Sequence, residues 1–422
     1  MPNFIAPEFS YPLAWGIDFS FPVITKFLFQ LEEIEISEHD RKMIQSYAED
    51  RLVYFSNHPS TVEPAIAYHV ATIMGSRFKY MASRNVFEWG NGFVGEFIKR
   101  LGAFSVLSGG ADKDSIKMAR SILSEPGGKL VIYPEGMTSG ENDNLVSFLP
   151  GTAQIAFWGY EDAKKKDPKA ELFFLPSFVK YIVKGTQSSL RYDIESSLKK
   201  IESKLEIVPQ TKSVLRRFLT IGRVILEWAE LEYRVPSKEG EDYNYRIGKA
   251  RHAVLERASQ CLKIKLPSSM DSISKIRELF TLKDALEAGF KTPEQTGITE
   301  KELAMARKDI DLAYTFLILK PEYILERPTA ERLLEWIYRF ESFVYGKSNF
   351  RKRKAVVMFR KPFMISEYYH AYKTNKKAVV EEVMKRIRSD MEEMVKEGSL
   401  MTEPLYNRMD EDIPEEFKIT PS

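Results

Sequence analysis

Over the first 184 residues, short apolar runs alternate with stretches whose apolar positions recur at helical spacing. Strand-like runs fall at Leu52–Phe55, Phe78–Ala82, Phe104–Leu107, Leu130–Tyr133 and Leu172–Val183, and a sixth stands far downstream at Ala355–Phe359. Continuous apolar runs bounded by helices are the pattern of strands buried on both faces of a mostly parallel sheet. From Gly185 to Asn349 the period is helical throughout. Val214, Leu215, Phe218, Ile221, Ile225, Trp228 and Leu231 mark one apolar face there, and Leu333, Leu334, Ile337, Phe340 and Val344 another. The expected fold is α/β: a mostly parallel central sheet covered by helices on both faces, with a large all-helical insertion.

If Ala355–Phe359 rejoins the first sheet, the chain divides into an α/β core over 1–184 with an N-terminal arm, the insertion over 185–349, and a return strand and helix over 350–422. The last helix is expected from Asn375 to Lys396, with Val380, Val383, Ile387, Met391 and Met394 inward, and a loose tail after Gly398. The arm, Phe4–Leu31, interleaves aromatic and aliphatic residues with Pro7, Pro12 and Pro22, which should break any long helix. It reads as an ordered cover over the core whose aromatic residues are also suited to the lipid headgroup level. No run of apolar residues is long enough for a spanning helix, and no basic region precedes an apolar one as in a cleavable signal.

Composition narrows the classes. A chain of 422 residues that is 44% hydrophobic can bury a large core, and a formal charge of +2 gives no steer toward nucleic acid. The single cysteine, Cys261, excludes an internal disulfide and a cysteine-based zinc site, and its helical context suits a small buried apolar group. A cytoplasmic placement is expected.

Candidate chemistry centres on Tyr54-Phe-Ser-Asn-His-Pro-Ser-Thr-Val-Glu-Pro64, which puts His58 and Glu63 in one strand-to-helix turn, with Ser60 or Thr61 as a cap and Pro64 in the first helical turn. Such a turn lies at a sheet's carboxyl edge, where open α/β folds bind ligands. A carboxylate beside an imidazole fixes its tautomer and stabilises the imidazolium, so the pair is a general base able to deprotonate a hydroxyl without a serine nucleophile. With five histidines and 60 acidic residues the spacing alone decides nothing, and the surroundings must carry the case. Downstream, Lys129-Leu-Val-Ile-Tyr-Pro-Glu-Gly136 is an apolar strand ending in an acidic, glycine-containing turn, continued by Met137, Thr138, Ser139 and Gly140, whose backbone N–H groups can bind an anion. Leu101-Gly-Ala-Phe-Ser-Val-Leu-Ser108 lies between the two, and Phe173–Val179, broken by Pro176, follows.

This ordered set resembles the glycerolphosphate and lysophosphatidate acyltransferase family, whose blocks are an Asn-His-x-x-x-x-Asp turn, a Gly-x-x-Phe-Ile-x-Arg block, a Pro-Glu-Gly-Thr-Arg-Ser turn and a Val-Pro strand. The likeness spans residues 50–184, continues more loosely through Lys354–Ile365, and looks like a bacterial branch with a long helical insertion. It implies transfer of a fatty acyl chain from acyl-CoA or acyl carrier protein to a hydroxyl of lysophosphatidate or a related glycerolipid. His58 would be the base and Glu63 its orienting acid. Asn57, Ser108, Lys113, Glu135, Gly136, Met137, Thr138, Ser139 and Pro176 would lie against the substrates, with no metal and no cofactor beyond the thioester. Peripheral contact with the inner face of a membrane is implied, and the helical insertion would either cap an acyl channel or bind a carrier protein.

Three positions depart from that pattern. The acid is Glu63, one methylene longer than aspartate, and the arginines associated with the acceptor's phosphate fall on Ser108 and Thr138. Either Arg84, Arg100, Lys113 or Lys117 supplies the missing cation, or the acceptor differs from the usual one. A lipid- or partner-binding module on the same fold is the competing reading. Other motifs read as structure: Gly90-Asn-Gly-Phe-Val-Gly95 follows no clean strand and suits a glycine-loosened helix start. The turn Gly136–Gly140 is one position off a nucleophile elbow, against a serine hydrolase. His39, His69, His252 and His370 lack a matching carboxylate, and the basic runs Lys164–Lys166 and Arg351–Lys354 read first as solvated loops and second as anionic-lipid contacts.

Overall fold

The computed structural model describes residues 4–106, 112–149, 151–287 and 297–414. The chain forms two compact units, one of Met1–Tyr181, Asp284–Phe290 and Arg353–Leu400, the other of Ile182–Lys283, Lys291–Lys352 and Met401–Ser422. In chain order the elements begin with α1 (Tyr11–Leu28), β1 (Leu31–Ile36), α2 (Glu38–Gln45), β2 (Arg51–Phe55), α3 (Glu63–Met74), β3 (Lys79–Ser83) and α4 (Phe93–Arg100). Then come β4 (Ala103–Val106), α5 (Lys113–Ser124), β5 (Lys129–Ile132), α6 (Thr152–Lys166) and β6 (Leu172–Val183). Helices α7 (Gln187–Lys204), α8 (Val214–Glu232), α9 (Tyr243–Cys261), α10 (Ser272–Glu287), α11 (Glu300–Ile318), α12 (Pro321–Glu326) and α13 (Ala330–Tyr345) follow. The chain returns through β7 (Arg353–Phe359), β8 (Phe363–Met364), α14 (Ser366–Thr374) and α15 (Lys376–Ser399).

The first unit is built on an eight-stranded sheet of order β1-β7-β6-β2-β5-β3-β4, with β8 antiparallel to β6. The pairs β1–β7, β2–β5, β2–β6, β3–β4 and β3–β5 are parallel. Along β2 the side chains alternate between two cores: Val53 and Phe55 join Leu130, Phe157 and Met391, while Leu52 and Tyr54 join Ile66, Val131, Leu175 and Val357. All four are buried, which is why the strand reads as an unbroken apolar run. Strand β7 does rejoin this sheet, between β1 and β6, so the helices α7 to α13 interrupt the α/β fold in sequence.

Three expectations are corrected, and one strand, β1, was not anticipated. The N-terminal prolines do not prevent a long helix: α1 runs 18 residues, with Pro12 in its first turn, where a missing N–H costs nothing, and Pro22 tolerated inside because Ala14, Phe21 and Thr25 pack inward. Strand β1, Leu-Glu-Glu-Ile-Glu-Ile, has no apolar run to announce it; it is an edge strand, and its glutamates face outward, Glu35 meeting Lys354 at 2.8 Å. Leu231 is 78% exposed and off the inner face of α8. The chain after Gly398 is not loose as far as Ile413: Leu405 is buried with its N–H on the Pro328 carbonyl, Arg327 donates to the Thr402 carbonyl, and Glu411 accepts from Ser213 and the Leu215 N–H.

Smaller features fit their structural readings. Gly90 and Gly92 take positive φ just before α4, and a Cβ on Gly95 would sit 2.2 Å from the Phe87 carbonyl oxygen, so these glycines let a helix start against a close neighbour. His69 stacks on Phe21, and burial, helped by Arg41, lowers its pKa to about 4, leaving it neutral.

Candidate active site

Parallel pairing of β2 with both β5 and β6 places Phe55 opposite Ile132 and Pro176, so the segments leaving the first two strands emerge side by side at the carboxyl edge. The two turns are stitched together by backbone bonds, Ser139 N–H to the His58 carbonyl at 2.7 Å and Gly140 N–H to the Pro59 carbonyl at 3.2 Å. Gly136 turns the chain at φ +66°, and a Cβ there would meet Leu149 Cδ1 at 2.4 Å.

Within this frame His58 Nδ1 lies 2.7 Å from Glu63 Oε2. A carboxylate only accepts, so Nδ1 carries the proton and Nε2 keeps its lone pair. The imidazole is backed by the Tyr133 ring, stacked at 4.3 Å and 18°, and keeps 18% of its side chain exposed, whereas Glu63 has none. Four groups hold that acid. Besides His58, the Ser60 N–H donates to Oε2 at 3.0 Å, the Ser60 hydroxyl to Oε1 at 2.7 Å, and the Tyr181 hydroxyl to Oε1. Burial, reinforced by the Glu63 charge, pushes the Tyr181 phenol well above its ordinary value, so it stays a donor. The Arg353 guanidinium lies over the Tyr181 ring, 3.9 Å from its centroid, with Nη2 3.5 Å from the Ser60 hydroxyl. Removing the phenol tests the clamp. Tyr181→Phe deletes one hydrogen bond to a charged group, a contact of about 1.5–3 kcal/mol, and we expect kcat to fall about tenfold with little change in KM for the acyl donor.

Glu135 holds the turn from beneath. It is fully buried, and its two oxygens accept the His58 N–H at 2.8 Å and the Val146 N–H at 2.9 Å. Burial pushes its pKa up to about 7 against the lowering effect of those two donors. The folded protein therefore holds this proton more tightly than the unfolded chain: the group's contribution to stability is full below its ordinary value of 4.5 and is lost as pH rises through about 7. Glu135→Gln turns an amide NH₂ toward one backbone donor and should cost about 1–3 kcal/mol. In thermal melts the wild-type advantage over the variant should shrink as pH rises from 4.5 to 7, and an advantage constant over that range would contradict this placement.

Several residues expected at the substrates are placed otherwise. Strand β6 runs past the end of β2, and its unpaired backbone is completed by side chains: the Asn57 amide bonds the Val179 N–H and C=O at 2.7 and 3.0 Å, and the Asn142 amide does the same for Tyr181 at 3.1 and 2.8 Å. Asn57 thus extends the sheet. Pro176 is buried within β6, and Ser139 is buried with its hydroxyl on the Glu141 carbonyl. The N–H groups of Gly136, Ser139 and Gly140 are taken up by carbonyls, so these three are not oxyanion donors. Gly136 is exposed and Met137 and Thr138 are half-buried beside the His58 turn. Lys113 is exposed at the start of α5, after β4, three strand positions from β2 and so about 14 Å to the side. Arg84 pairs with Glu88 at 2.5 Å and Arg100 with Glu96 at 2.8 Å. Ser108 lies outside the described residues. A cleft of about 680 Å³ opens at the opposite, amino-terminal edge of the sheet, beside Arg77, Gly127 and Lys129; it holds no acid–imidazole pair, and the chemistry of the dyad outweighs its size.

Residues that sequence reasoning missed are Tyr133, Tyr181 and Arg353. The expectation that Ser60 or Thr61 caps α3 is corrected: the N-cap is Val62, with no side-chain cap bond, and the Ser60 hydroxyl instead accepts the Val62 N–H at 3.3 Å and donates to Glu63 at 2.7 Å. Residues 35–159 match the family model described as Acyltransferase, a segment that contains His58, Glu63 and Glu135 but not Tyr181 or Arg353. No curated protein matches the chain. The family match supports an acyltransferase, of the O-acyl class in general. Among the described residues no helix is long and apolar enough to cross a membrane.

Proposed function

We propose that the chain transfers a fatty acyl group from an acyl thioester, carried by coenzyme A or acyl carrier protein, to a hydroxyl of lysophosphatidate or a related glycerolipid. The observation that carries this reading is the 2.7 Å bond from His58 Nδ1 to buried Glu63, which leaves Nε2 its lone pair on a partly exposed ring backed by Tyr133. In the reaction Nε2 takes the acceptor's hydroxyl proton as its oxygen attacks the thioester carbonyl, and Glu63 stabilises the imidazolium. Collapse of the tetrahedral adduct breaks the C–S bond, and the imidazolium returns its proton to the departing thiolate. One ester and one thiol result, and no acyl-enzyme intervenes. The extra methylene of Glu63 is accommodated by the Ser60 and Tyr181 donors that clamp both oxygens.

Phosphate recognition is where this chain departs from the pattern it resembles, since Thr138 stands at one arginine position and Arg84 and Arg100 are already paired. The test is therefore a panel. Pure protein is incubated with acyl-CoA or acyl carrier thioesters and with lysophosphatidate, glycerol 3-phosphate and phosphate-free glycerolipids, and products are identified by mass. We expect an ester of a lysoglycerolipid with equimolar free thiol. Absence of ester from every acceptor overturns the reading.

A further inference from the structure

A base that already holds a proton cannot take one, and much of what surrounds His58 favours that idle state. The buried Glu63 carboxylate at 2.7 Å stabilises the imidazolium. The phenols packed around the pair carry no charge to set against it: burial pushes the Tyr54 hydroxyl up to about 12 and those of Tyr80, Tyr133 and Tyr181 well above their ordinary value. Lys180 and Asp143 cancel as a buried pair. Arg388 acts on Glu135 and directs its N–H groups to the Leu145 and Val146 carbonyls and to Glu392.

Strand β7 brings a cation to the Glu63 side. It runs opposite to β6, with the Arg360 N–H on the Pro176 carbonyl at 3.1 Å, so its first residue, Arg353, arrives at the carboxyl edge where β6 outruns β2. The half-buried guanidinium lies 3.9 Å from the Tyr181 ring centroid and 3.5 Å from the Ser60 hydroxyl, and those are the two side chains that donate to Glu63 Oε1. Lys354, next along the strand, is turned to the other face and pairs with Glu35.

We propose that Arg353 is a positioning residue for the proton: its fixed charge beside Glu63 keeps His58 in the neutral, proton-accepting form at neutral pH. A guanidinium stays charged at every pH the protein meets. A cation disfavours a proton on either member of the pair, so the sign of its effect is the same whether that proton sits on the imidazole or on the carboxylate. Arginine suits the place because it can lie over the phenol ring while leaving the Tyr181 hydroxyl to Glu63. That the reaction uses the neutral imidazole rests on the acyl-transfer reading; the charge effect itself does not.

The test follows the His58 ring by NMR in protein carrying isotope-labelled histidine, titrated with pH in the absence of substrate, the signal being identified by its loss in His58→Ala. Wild type is compared with Arg353→Gln, Arg353→Met, Arg353→Lys and Lys354→Gln. Glu135, on the His58 N–H, is common to all of these and cancels in the comparison. We expect the His58 signal of both neutral Arg353 variants to move at a pH about 0.5–1 unit higher than in wild type, and that of Arg353→Lys and Lys354→Gln to stay with wild type. The acid limb of kcat/KM for acyl transfer should rise by the same amount. A His58 signal that stays in place in the neutral variants overturns the proposal, as does an equal shift in Lys354→Gln. Neutral variants that do not fold, beside an Arg353→Lys that melts like wild type, overturn it too, by assigning the cation to folding. The expected shift in a wild type that forms no ester supports the charge effect and removes the acyl-transfer reading instead.

Discussion

His58→Ala is expected to lower the rate of acyl transfer about 10²- to 10⁴-fold while leaving affinity for the acyl thioester near that of wild type. The imidazole has two jobs in the proposed reaction, removing a proton as the hydroxyl attacks and returning it as the thiolate leaves, and no neighbour can take over either. Glu63 faces the ring from the far side with every oxygen engaged, and Glu135 is buried beneath the turn. Stability should fall by about 1.5–3 kcal/mol, because the loss of the ring removes one hydrogen bond to the buried Glu63 carboxylate, as well as a stack on Tyr133. Steady-state kinetics with the accepted hydroxyl substrate, beside thermal melts, separates the two effects. A variant as fast as wild type would remove His58 from the chemistry.

Lys180→Met should unfold the first unit far more easily. Lys180 and Asp143 form an ion pair in which neither side chain has any exposure, between the Asn57–Val179 and Asn142–Tyr181 bonds that extend β6 toward the site. Taking away the lysine removes the countercharge of a buried carboxylate, a loss of about 3–5 kcal/mol, which corresponds to a melting point lower by about 10 °C. Replacing both partners, Lys180→Met with Asp143→Leu, should recover most of the stability, since buried pairs are often no better than well-packed apolar residues of similar volume. Melting curves of wild type, single and double variants decide it: a double variant no more stable than Lys180→Met alone would mean that the strain comes from repacking and not from stranded charge.

What the sequence disclosed followed its physics closely. Strands buried on both faces announce themselves as apolar runs, and β2 and β5 were legible to within a residue at each end, as was β6 over its whole length. Strand β1 was hidden because an edge strand can carry three glutamates in six residues, and α1 because proline in a first turn looks the same in sequence as a helix breaker. The dyad was legible because a five-residue separation across one turn is local information. Tyr181 and Arg353 were not, since Tyr181 meets the carboxylate, and Arg353 the Tyr181 ring, only through the lateral order of β7, β6 and β2, which no local pattern records. Asn57 shows the converse error: a polar residue beside a reactive histidine suggests substrate contact, yet its amide completes the hydrogen bonding of a strand that outruns its neighbour.

In the proposed reaction Glu63 acts through His58 and by no other route, and a double-mutant cycle on acyl-transfer rate measures that coupling directly. Glu63→Gln alone should slow the enzyme clearly, whereas in the His58→Ala background the same change should have almost no further effect. Rates that fall independently, so that the double variant loses the product of the two single losses, would mean that Glu63 does not act through His58.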